Sequence, residues 1–113
     1  MDCLFCKIVA GTIPSKKVKE DDLMLAFHDV QPVAPTHILV IPKKHIPTLN
    51  DVAPADEALM GKLFTTAALL AKQRGIADQG WRAVVNVNRD AHQLVFHVHL
   101  HLLAGRGFHW PPG

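Results

Sequence analysis

Phe96-His97-Val98-His99-Leu100-His101-Leu102-Leu103 places three histidines at strict two-residue spacing among apolar residues. On an extended chain successive side chains point to opposite faces, so His97, His99 and His101 share one face. Phe96, Val98, Leu100 and Leu102 take the other. Burial of that apolar face would hold the histidine row in register. The spacing predicts a strand over 94–103. Imidazole is a nucleophile, a metal ligand and an acid-base near neutral pH, so the row allows attack on phosphorus, metal binding or proton transfer. Spacing alone does not separate these.

Working outward, Trp81 to Val87 reads as a strand, and Asn88 to His92 as the loop before the histidine row. Leu23 to Phe27 reads as another strand, broken at Asp29-Val30-Gln31-Pro32. Thr36 to Ile41 is apolar and partly β-branched, a strand stopped by Pro42. A helix is predicted over 54–74. Pro54 suits its first position, and Asp56 and Glu57 suit the positive end of its dipole. Leu59, Met60, Leu63, Ala67, Leu70 and Ala71 form its apolar face, and Gly75 supplies a left-handed cap. Cys3 to Val9 forms a short helix or turn. The closing segment, Gly105 to Gly113, is irregular. Strands interrupted by one helix give an α+β domain, with the helix packed on an antiparallel sheet.

The chain has 113 residues, 49% of them hydrophobic, enough for one domain with a core, which we take as residues 1–113. A formal charge of +2 is too mild for nucleic-acid wrapping, and no nucleic-acid partner is expected. Lys16, Lys17 and Lys19, like Lys43 and Lys44, read as solvated faces. The start, Met1-Asp2-Cys3-Leu4, lacks the cationic-then-apolar pattern of a secretory signal. No apolar run is long enough to span a bilayer. With two cysteines, the expected setting is cytoplasmic with reduced thiols.

Cys3-x-x-Cys6 has the spacing of a metal half-site, a redox pair or simply two thiols. No βαβ pattern surrounds it, which argues against a thioredoxin-like site. His45 and His97 are the best candidates for two further ligands of a closed, structural site. The chain carries neither G-x-x-x-x-G-K-[ST] nor G-x-G-x-x-G, so any nucleotide must be held without those cradles. Asp29, Asn86 and Gln93 stand near strand ends, where a polar residue serves a turn or a ligand.

The row His97-Val98-His99-Leu100-His101-Leu102-Leu103 resembles the histidine triad pattern, His-φ-His-φ-His-φ-φ. Cys3-Leu4-Phe5-Cys6-Lys7-Ile8, Ala26-Phe27-His28-Asp29, Ala34-Pro35-Thr36-His37, Ile41-Pro42-Lys43-Lys44-His45 and His109-Trp110-Pro111-Pro112-Gly113 also resemble the nucleotide-binding (Hint) branch of the histidine triad (HIT) family. The resemblance covers nearly the whole chain. It implies a HIT-like α+β fold: a five-stranded antiparallel sheet, one long helix and a short N-terminal helix. It further implies a homodimer that hydrolyses purine nucleoside phosphoramidates, AMP-like substrates, through a nucleotidyl-histidine intermediate.

By that resemblance His99 is the nucleophile, the His97 carbonyl accepts from its far ring nitrogen, His101 assists the leaving group, and His37 supports the network. Asp29 holds the ribose, and Phe27 and Val30 pack around the base. Asn86, His92, Gln93 and Leu94 lie toward the phosphate, and Trp110 completes the neighbouring subunit's site. No metal is required for the chemistry, while Cys3, Cys6, His45 and His97 match a structural zinc site in some bacterial members.

Ala91-His92-Gln93-Leu94 departs from the Gly-Gly-Gln-Ser or Gly-Gly-Gln-Thr usual there. His92 replaces a glycine whose backbone needs close approach or positive φ. Leu94 replaces a hydroxyl beside the leaving group and has no donor. Ala104 likewise stands where glycine is common. Two alternatives follow: a nucleotide- or partner-binding dimer with weak or lost catalysis, and a metal hydrolase using the triad as ligands.

Overall fold

Why the histidine strand stops short of its sequence pattern is visible in the computed structural model, which describes residues 2–113. Met1, the first residue of the span read as one domain and of the stretch read for an export signal, lies outside them. Strand β5 covers Leu100–Ala104, not 94–103. Its antiparallel pairing with β3 (Thr36–Pro42) runs from Thr36↔Ala104 to Val40↔Leu100. Two residues further the partner would be Pro42, which has no N–H to donate. The Pro42 carbonyl instead accepts from His97 Nε2 at 2.7 Å, and Val98 N–H donates to the Ile46 carbonyl at 2.7 Å. His97 and His99 therefore lie on an extended segment leading into the strand.

The facing alternation persists along that segment. Val98, Leu100 and Leu102 are buried in the core beneath the long helix α2 (Glu57–Gln73), with Leu63, Ala67 and Leu70. Phe96, expected on that buried face, is 51% exposed because the chain has already left the sheet. The other sheet face carries a second core of Leu25, Phe27, Leu39 and Ile41, closed by Phe5 and Ile8 of α1 (Leu4–Val9). The histidines belong to this second face.

The sheet has five strands, with β1 (Lys17–Glu20), β2 (Met24–His28) and β4 (Trp81–Val84) joining β3 and β5 in the order β1-β2-β3-β5-β4, all antiparallel. Strand β2 is Met24–His28, close to expectation, and β4 is Trp81–Val84, shorter than predicted. Pairing of β4 with β5 ends at Val84↔His101, one residue from the start of β5, so Asn86 and Val87 have no strand beside them to extend the ladder. Strand β1, Lys17–Glu20, lies where the sequence shows a basic cluster. It is an edge strand, and lysines on an edge discourage pairing with other chains. Its register with β2 shifts between Lys17 and Lys19.

The helix predicted over 54–74 divides into a 3-10 turn, Pro54–Asp56, and α2. The buried Asp56 carboxylate accepts from Ala53 N–H at 3.1 Å and from Lys44 Nζ at 2.6 Å, fixing this entry. Gly75 has φ +72, and its N–H donates to the Lys72 carbonyl, so the expected cap forms. No helix among the described residues is long and apolar enough to cross a membrane.

Candidate active site and metal cluster

The second sheet face opens into a cleft of ≈ 650 Å³. Its lining joins the apolar side chains of Leu4, Phe5, Ile8, Phe27 and Leu39 to the polar groups of Asp29, His37, Asn86, His99 and His101. Val30, 94% exposed, His92 and Leu94 also border it.

The rings of His37, His97, His99 and His101 have their tautomers set by their partners. His99 Nδ1 lies 2.7 Å from the His97 carbonyl oxygen, which can only accept, so Nδ1 carries the proton. The Nε2 lone pair is left available. His99 is 7% exposed, and burial lowers its pKa while the bond to the His97 carbonyl opposes that shift. The ring is held neutral, the form that attacks an electrophile.

His37 reads in the opposite sense. Val33 N–H donates to His37 Nδ1 at 3.1 Å, so its proton sits on Nε2. That N–H faces His101 Nδ1 at 2.9 Å and Asp29 Oδ2 at 3.3 Å. His101 Nδ1 thus accepts, and neutral His101 keeps its proton on Nε2. Burial, then the nearby His99 and His37, lower the His101 pKa to about 4. Burial also lowers that of His37, against the pull of Asp29. Asp29 is itself fixed by Gln31 N–H at 2.8 Å on Oδ1.

His97 does not join its neighbours. Its ring is fully buried and turns to Cys3, Cys6 and His45. With Nε2 donating to Pro42, Nδ1 presents a lone pair. It lies 3.5 Å from Cys3 Sγ, 3.7 Å from Cys6 Sγ and 3.2 Å from His45 Nδ1, and Cys6 Sγ lies 3.3 Å from His45 Nδ1. A tetrahedral zinc with ordinary bond lengths has edges of about 3.3 Å between nitrogens and about 3.5 Å between sulfur and nitrogen. These four residues can hold a metal ion at that geometry, and both cysteines are thiols outside any disulfide. Burial and the adjacent Cys3 raise the Cys6 pKa, an obstacle to ionisation that a bound cation removes.

A second group, Asp29, His37 and His101, is close enough for a metal but is already joined by N–H donation from His37. The three triad rings do not converge on one point: His97 faces the cysteines, His99 a carbonyl, and His101 faces His37.

Two further expected residues stand outside the cleft lining. Gln93 is buried, and its amide is occupied by backbone groups: Oε1 accepts from Asn88 N–H at 2.9 Å, and Nε2 donates to Pro47 and Val95 carbonyls at 2.8 and 3.0 Å. It braces the 88–95 loop against Pro47. Trp110 is 83% exposed and lines no part of its own chain's cleft. Its tail is pinned where Phe108 packs against the Arg82 and Arg106 guanidinium groups, at 5.1 and 4.3 Å, and Arg82 Nη2 donates to the His109 carbonyl at 2.9 Å.

His92 has φ +62, so the left-handed backbone expected at this position is present on a residue with a Cβ. The sequence reading missed Leu4, Phe5 and Ile8 as cleft residues. Their signal was an apolar helical face between and beyond the two cysteines.

The HIT domain profile matches residues 10–108. The chain is 50% identical over 105 residues to the purine nucleoside phosphoramidase of Escherichia coli K12, covering 93% of this chain and 88% of that protein. Among solved structures, a HIT family hydrolase from Legionella pneumophila superposes with a TM-score of 0.97 at 52% identity, over 99% of this chain and 100% of that one. The histidine triad nucleotide-binding protein from Candida albicans gives 0.84 at 34% identity, over 97% of this chain and 83% of that one.

Proposed function

This chain belongs to the HIT family, and we propose that it is a purine nucleoside phosphoramidase that works through His99. The observation that carries this reading is the 2.7 Å bond from His99 Nδ1–H to the His97 carbonyl, which leaves Nε2 unprotonated in the cleft. His99 Nε2 attacks the phosphorus of an adenosine 5′-phosphoramidate, forming a P–N bond to the ring as the bond to the amine breaks. The departing nitrogen is protonated from solvent and leaves as the amine, while His101, held by His37 in the Nε2–H tautomer, donates a hydrogen bond to the phosphoryl group and steadies its charge. The nucleotidyl-His99 retains its Nδ1 proton and is cationic, which makes the imidazole a good leaving group. Water then attacks phosphorus, the P–N bond to the cationic ring breaks to give back neutral His99, and the water's proton passes to solvent, balancing the one taken up by the amine.

In this reading Leu4, Phe5, Ile8, Phe27 and Val30 enclose the base and Asp29 accepts from the ribose hydroxyls. Asn86 and the 92–94 loop border the phosphate. Cys3, Cys6, His45 and His97 would hold a structural zinc, which when bound cross-links the N-terminus to the sheet. The protein acts as a cytoplasmic homodimer, with the exposed Trp110 of each protomer reaching the other's site.

One observation favours a second reading, a nucleotide-binding dimer with weak catalysis. Leu94 is 73% exposed at the cleft border and offers no hydrogen bond beside the leaving group. A single comparison separates the two: steady-state hydrolysis of an adenosine phosphoramidate by the wild type and by His99→Ala, with AMP binding measured on both. The proposal expects turnover that the variant loses by at least about 10³-fold while still binding AMP. Equal turnover in both would overturn it.

A further inference from the structure

Phe5 stands between the metal cluster and the cleft. It is flanked in sequence by the two cysteines, is 4% exposed, and belongs to a helix of six residues. Its ring meets that of His97 at 6.0 Å and 74°, that of His99 at 5.0 Å and 85°, and that of Phe27 at 5.6 Å and 73°. These are edge-to-face contacts, in which a displaced ring loses its fit to each neighbour together. Leu4, Phe5 and Ile8 also form a wall of the cleft.

A six-residue helix has no stability of its own in water. What holds α1 is the packing of Phe5 and Ile8 together with the attachment of Cys3 and Cys6 to His45 and His97. Without a cation that attachment is weak. It consists of thiol–imidazole contacts, from Cys3 Sγ and Cys6 Sγ to His97 Nδ1 at 3.5 and 3.7 Å and from Cys6 Sγ to His45 Nδ1 at 3.3 Å, and a thiol is a weak donor. A cation at the centre replaces these contacts with four ligand bonds, two of them to α1 or its N-cap.

We propose that the cluster and the cleft are coupled through Phe5, so that zinc bound by Cys3, Cys6, His45 and His97 raises the affinity for a nucleoside monophosphate. The inference rests on the nucleotide reading above. Each ligand orders the same wall, so whichever binds second meets a surface already in place. Linkage is reciprocal: the nucleotide tightens the cluster's hold on zinc by the same factor. Phe5 is a positioning residue in this account, acting through the wall and through the ring of His99. A coupling of this kind falls between about 5- and 150-fold.

The test uses the zinc-loaded full chain and the same protein stripped by chelation. AMP affinity is measured on both by calorimetry, and zinc affinity by competition with a chromogenic chelator, with and without AMP. The expected result is at least 5-fold tighter AMP binding with zinc, matched by an equal gain in zinc affinity with AMP. AMP binding that zinc leaves unchanged overturns the coupling alone. Failure of the loaded protein to bind AMP overturns the nucleotide reading and the coupling with it.

Circular dichroism checks that the stripped protein is folded. If it is not, zinc-loaded Phe5→Leu decides the matter. It should keep its zinc, bind AMP more weakly and show no effect of AMP on zinc affinity. Wild-type protection of zinc by AMP in that variant overturns the proposal.

Discussion

His37 Nε2 lies 2.9 Å from His101 Nδ1, and Val33 N–H on the far side of the His37 ring fixes which of the two gives the proton. The proton state of His101 is therefore set from a backbone amide outside the triad. Replacing His37 with alanine removes that control without touching substrate. The expected outcome is a fall in kcat of about 10- to 100-fold with KM nearly unchanged, read from steady-state kinetics. An equal effect on KM and none on kcat would place His37 in binding instead.

The same pair gives a pH dependence of stability. His101 titrates near 6.5 when unfolded and at about 4 when folded, with His99, His37 and Asp29 around it. His37 is lowered in the same direction. The folded state binds fewer protons than the unfolded state between these values, so stability is fully present above about pH 6.5. Thermal melts should show a constant midpoint from pH 8 to about 6.5 and a falling one from there toward pH 4. His101→Asn should flatten part of that slope.

His92 holds φ +62, a conformation that costs a residue with a Cβ about 1 kcal/mol. Glycine adopts it without strain but loses more chain entropy. His92→Gly is expected to raise stability by up to about 1 kcal/mol in denaturant titrations.

Gly105 marks the opposite case. At φ +95, a Cβ there would lie 2.7 Å from Pro35 Cβ, against backbone-anchored atoms that cannot swing away. Gly105→Ala should destabilise by about 2 kcal/mol or more in the same titration, from strain and overlap together.

Leu94→Ser places a hydroxyl at the cleft border where the wild type has only carbon. Under the phosphoramidase reading this adds a donor near the leaving group and raises kcat, by about 10-fold at most, with AMP affinity unchanged. Burst kinetics would show whether the gain lies in the first chemical step.

Much of this was legible in the chain because the signals were local. Two-residue alternation placed Val98, Leu100 and Leu102 in one core and the histidines on the other face. Helical spacing found α2, and Gly75 its end. The strand's length was not legible, because Pro42, distant in sequence, ends the ladder that Leu94 to His99 would have extended. The partners of Gln93 were not legible for a similar reason: nothing near it in sequence announces that its amide meets the Pro47 carbonyl. Strand β1 was hidden by lysines, which serve an exposed face and an edge strand equally well. The division of labour in the triad was legible only through the family resemblance, because the ring partners that explain it exist only once the chain is folded.

Catalysis by this chain turns on a covalent bond to one nitrogen, Nε2 of His99. Mixing the protein with an adenosine phosphoramidate, quenching within the first turnovers and mapping peptides by mass spectrometry tests it most directly. The predicted result is a nucleotidyl adduct on His99, absent from His97 and His101 and lost in His99→Ala. Turnover with no adduct on His99 under the same quench, or an adduct on another residue, would contradict it.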